Sequence, residues 1–121
     1  MPNNISHFVI GSHDVPKSAE FYAKLFGWSM TPEDQNQNLR IDTGGKVGGH
    51  LVPTDEHSFT SFFVRVDDLD STLKRAVELG GRVITPPEVN ARGTRFAMIM
   101  DCDCAVVGVL EVSKQKGTEN G

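Results

Sequence analysis

Cysteine is scarce in this chain: two among 121 residues, at Cys102 and Cys104. A pair that close cannot lay down a disulfide framework, so packing must hold the fold. No apolar run approaches the roughly 18 residues a membrane-spanning helix needs. MPNNISHFVI lacks a basic segment followed by a hydrophobic stretch and a cleavage site. A cytoplasmic location with no membrane partner is therefore expected. Cations are outnumbered, 12 Lys and Arg against 16 Asp and Glu, for a net charge of −4. Nucleic acid is not an expected partner, because sequence-independent phosphate binding comes from clustered Lys and Arg. GGKVGGH lacks the strand-to-helix context of a P-loop and reads as a hairpin turn followed by a strand whose glycines leave space for a ligand. No Ser-His-Asp or Cys-His arrangement assembles from spacing.

What is present is a repeat. Shifted by 54 positions, ISHFVIGSHDVPKSAEFYAKLFGW lies over FTSFFVRVDDLDSTLKRAVELGGR, with Phe8 on Phe62, Asp14 on Asp68, Leu25 on Leu79 and Gly27 on Gly81. Each copy reads as an alternating strand, an acidic cap, an amphipathic helix and a glycine stop. Val15, Ala19, Tyr22 and Phe26 make the expected buried stripe of the first helix. Leu69, Leu73, Ala76 and Val77 make that of the second. Three short strands follow each helix, with PPEVNARG read as a loop in the second half. The chain is thus expected to be one α+β domain over 1–112, built from two βαβββ modules at about 5–53 and 59–112, with 113–121 a flexible tail.

HFVIGSHDVPKSAEFYAKLFGW, ending in the FYxxxFGW pattern of Phe21, Tyr22, Phe26, Gly27 and Trp28, resembles the opening motif of the vicinal oxygen chelate superfamily. VRVDDLD and FAMIMDCDCAVVG extend the resemblance through the second half, over nearly all of residues 5–112. That superfamily includes glyoxalases, bleomycin-resistance proteins and dioxygenases. The resemblance implies a cup-shaped mixed sheet around a cavity, frequently completed in a homodimer, with up to four inward side chains holding a divalent metal.

Those ligand positions are mostly unfilled in this sequence. His7, seven residues before the capping Asp14, matches the first. Its second-module counterpart is Ser61, a poor donor for a transition metal. Counting seven residues from Asp101 reaches Gly108, while Glu111 lies an odd three positions further and faces the other side of a regular strand. Gly48 takes the remaining position, with His50 two residues along on the same face. Asp101-Cys102-Asp103-Cys104 replaces the D-P-x-G turn of the superfamily and reads as a hairpin turn bearing two free thiols.

The resemblance is therefore to the metal-poor branch. It implies a protein that binds a small molecule in the cup around His7, Val9, His50, Ser61, Phe63 and Arg65, with no cofactor and no complete metal site expected. Whether it also catalyses is left open by the sequence. The alternative is a metal-dependent lyase, isomerase or conjugating enzyme whose site draws on His7, His50 and Glu111.

Overall fold

The computed structural model describes residues 3–33, 35, 37–90 and 92–112. The tail read from sequence, 113–121, lies outside the described residues. The chain clusters into two units: Ser6–Phe62, and a second that joins the residues up to Ile5 to those from Phe63 onward.

The element order is β1 (Ile5–Ser12), α1 (Val15–Phe26), β2 (Ser29–Pro32), β3 (Leu39–Asp42), β4 (Gly49–Pro53), β5 (Phe59–Val66), α2 (Leu69–Glu78), β6 (Arg82–Val89), β7 (Arg95–Met100) and β8 (Val106–Glu111). The βαβββ order therefore occurs twice, and the fold is α+β with mixed strand pairing, as the repeat predicts. In the first unit β1 pairs in parallel with β4, and β4, β3 and β2 follow antiparallel. In the second, β5 pairs in parallel with β8, and β8, β7 and β6 follow antiparallel.

Both caps form as the sequence predicts. Asp14 accepts the Lys17 N–H at 3.2 Å, Pro16 sits in the first turn of α1, and Gly27 closes the helix at φ 76° with its N–H on the Ala23 carbonyl. Asp68 accepts the Ser71 N–H at 3.1 Å, and Gly80, at φ 99°, turns the chain out of α2. Each helix buries one stripe against its own strands. Ile10, Val15, Ile41 and Leu51 form one core, and Val66, Leu69, Leu73, Ala97 and Val109 the other.

Three expectations are corrected. Phe26 is 56% exposed, because Trp28, just past the Gly27 turn, packs on Phe8 and Tyr22 with ring centroids 5.6 and 5.7 Å away and leaves Phe26 on its outer side. Val77 is 55% exposed, the burying stripe of α2 being complete with Leu69, Leu73 and half-buried Ala76. The PPEV segment is not a loop, since β6 runs through both prolines to Val89. Two register shifts, between Val83 and Thr85 and between Thr85 and Glu88, let the strand continue, and β6 is the last strand of its unit, where missing N–H groups cost no ladder bond.

Candidate functional site

Alternation along β1 sends Phe8 and Ile10 toward α1, so His7, Val9 and Gly11 occupy the opposite face. Register puts Val9 opposite His50, and His50 opposite Arg40. On that face the rings of His7 and His50 meet edge to face, centroids 5.1 Å apart at 89°. The sequence placed the two histidines on one face; the parallel pairing of β1 with β4 makes them neighbours.

A carboxylate missing from the sequence reading completes the group. His50 Nδ1 lies 2.7 Å from Glu33 Oε1, and both side chains are only 27% exposed. A carboxylate accepts, so Nδ1 is the donor, and the Nε2 edge of the ring is left for another partner. His7 Nδ1 is 3.0 Å from the Ser6 hydroxyl. Glu33 is held by its own backbone, whose N–H donates to the Asn38 carbonyl at 2.8 Å across the β2–β3 turn. Its signal was faint: Glu33 stands two residues beyond Thr31, which pairs with Arg40, which pairs with His50. The group offers a bound molecule a fixed ring nitrogen beside a second imidazole edge. The same face continues to Gly11, where the Phe59 ring takes the space a Cβ would need. A cleft of about 470 Å³ opens at this end of β1, with Ser12, Ser18, Tyr22, Ser58 and Thr60 in its lining and the Ser12 and Ser18 hydroxyls 2.7 Å apart.

The remaining candidates are placed as follows. Ser61 is half-buried on β5. In the second unit Phe63 lies opposite Gly108, and a Cβ added at Gly108 would collide with the Phe63 ring. Phe63 also meets Phe96 edge to face at 6.3 Å. Arg65 directs a guanidinium nitrogen to the Asn4 side chain and the Ile5 carbonyl, each at 3.5 Å. Glu111 turns to the α2 side, as its odd offset predicts. One of its oxygens accepts the Leu69 N–H at 3.0 Å, and the other lies 3.4 Å from Arg95, which also binds Asp70 at 3.0 Å.

These residues do not fit the divalent metal that the superfamily resemblance implies. Among the described residues no group of three or more His, Cys, Asp or Glu is placed to hold a metal ion. The reason is chemical as well as positional. Ser61 offers a hydroxyl, the Phe63 ring fills the space at Gly108, and both oxygens of Glu111 are engaged within its own unit. At Gly48 a Cβ would come within 2.7 Å of the Ile41 carbonyl, and at Gly49 within 2.5 Å of the Phe8 ring. Those glycines admit neighbouring protein rather than opening space for a ligand, which corrects the sequence reading of GGKVGGH.

The Asp101–Cys104 segment is a turn with two exposed free thiols, as expected. Asp101 organises it: its carboxylate accepts the Asp103 and Ala105 N–H groups at 2.7 and 2.9 Å, and its carbonyl accepts from Cys104 at 3.1 Å. The bond from Ala105, then that from Asp103, holds the Asp101 carboxyl below its ordinary value.

Residues 4–105 match the Glyoxalase/Bleomycin resistance protein/Dioxygenase superfamily. The chain belongs to that superfamily. It is 30% identical, over 98% of its length, to the anthracycline biosynthesis protein DnrV of Streptomyces peucetius, and equally to DauV of Streptomyces sp. strain C5. The chain spans about half the length of each of these curated relatives, 50% in both cases. Among solved structures it resembles a superfamily member from Vibrio splendidus 12B01, with TM-score 0.70 and 14% identity over 91% of this chain and 99% of that one. It also resembles methylmalonyl-CoA epimerase from Mycobacterium tuberculosis, with TM-score 0.68 and 16% identity over 94% and 91%. At such identities these two superfamily structures share the fold alone with this chain. No helix among the described residues is long and apolar enough to cross a membrane.

Proposed function

We propose that this superfamily member binds a small organic molecule on the face carrying His7, Val9 and His50, without a complete metal site. The observation that carries the reading is the His7–His50–Glu33 group, in which Glu33 holds the His50 ring beside a second imidazole. Such a group orients a ligand through hydrogen bonds and needs no cation to do so. Ser61 is a further candidate contact, and Phe63 and Arg65 are candidates within their own unit. Relatives named for anthracycline biosynthesis make anthracycline-type aromatic molecules the first class to screen. A cytoplasmic homodimer belongs to the same reading. The test is a calorimetric titration of screened ligands into wild type, His7→Ala and His50→Ala. Binding lost in both variants supports the reading, and equal affinity in all three sinks it.

The close approach of His7 and His50 also favours a second reading, a metal-dependent lyase, isomerase or conjugating enzyme. Two imidazoles are half of a usual transition-metal donor set, but Glu111, the third residue it would draw on, is held by Leu69 and Arg95. Elemental analysis of freshly purified protein separates the two: a stoichiometric divalent ion lost in His7→Ala would favour the enzyme.

A further inference from the structure

We propose that the Asp101–Cys104 turn is a binding site for a soft monovalent metal ion, copper(I), held between the thiolates of Cys102 and Cys104. Both cysteines are exposed and free, and they are one residue apart on a turn that is already organised. The bonds from Asp103 and Ala105 to the Asp101 carboxylate, with the Cys104 N–H on the Asp101 carbonyl, fix the backbone between the two sulfurs. Both side-chain bonds fall on Oδ1 of Asp101, and the thioether of Met100, the residue before the turn, lies 3.7 Å from the Arg82 guanidinium. Two thiolates are the soft donors of the turn itself. Zinc and iron ask for four such donors, whereas a d10 monovalent ion accepts two soft sulfurs.

Cys104 sits at φ 69°, a left-handed conformation in which a Cβ is strained and glycine is not. On binding, each thiol releases its proton to solvent as a Cu–S bond forms; copper enters and remains as Cu(I), and no electron is transferred. Asp103, exposed between the two cysteines, adds negative charge that attracts the cation. The site belongs to the second unit and is independent of the ligand-binding reading given for His7 and His50.

The experiment is a competition under anaerobic conditions between the prereduced full chain and a chromophoric copper(I) chelator. Wild type is expected to withdraw one equivalent of copper(I). Removing either thiolate abolishes the chelate, so Cys102→Ser and Cys104→Ser should each bind about 100-fold more weakly. The double serine variant should leave all copper with the chelator. Circular dichroism of each variant checks that the exposed substitutions leave the fold intact. Wild type that withdraws no copper, or a double variant that retains the wild-type share, overturns the proposal.

Discussion

At Gly108 the missing side chain is the informative one, because the Phe63 ring stands where it would be. Counting from Asp101 identified the position in the sequence, but not what fills it, since the Phe63 side chain reaches it across a strand pairing 45 residues away in sequence. Gly108→Ala should destabilise the fold by about 1 to 3 kcal/mol through overpacking, read as a lower urea midpoint. An unchanged midpoint would mean that Phe63 moves freely aside. Asp101 carries a pH dependence of defined sign. Its folded pKa is depressed below 3.8, so its contribution is complete above that value and disappears as pH falls through the folded pKa. Asp101→Asn should flatten stability against pH in that acid window, and an unaltered acid profile would show that the turn bonds carry no weight. His7 and His50 were legible as residues of one face. Glu33 was not, because it sits in a polar run with no periodicity and reaches His50 only through the β2–β3–β4 register.

The helices were the most legible elements, since a cap, a stripe and a glycine are local signals that agree with one another. Asp14→Ala and Asp68→Ala should each cost about 1 kcal/mol, read from thermal or urea unfolding. No loss in either variant would mean that the cap bonds are replaced by solvent at no cost. Leu69 is fully buried and Phe26 more than half exposed. Leu69→Ala should therefore cost about 2 to 5 kcal/mol, and Phe26→Ala clearly less, despite the larger side chain. The reverse order would restore the stripe read from spacing. Spacing failed at Phe26 because Trp28, outside the helical period, competes for the same aromatic cluster. It failed at β6 because proline forbids a central strand but not a bulged one paired on a single side in its unit.

For the whole molecule, the duplicated order of elements was readable because each copy carries the same caps and turns, and membership of the superfamily follows from residues 4–105. The chemistry was less readable, since a ligand position is defined by which face a residue takes in a paired register. Glu111 could be set apart from that face only because strand alternation is strict. The proposed function requires that a small molecule bind at His7 and His50 without help from a metal. Its most direct test is calorimetry of one screened aromatic ligand against the same protein before and after exhaustive chelation. Equal affinity and stoichiometry are expected in the two titrations. Binding that vanishes on chelation and returns when zinc, nickel or iron is added back would contradict it.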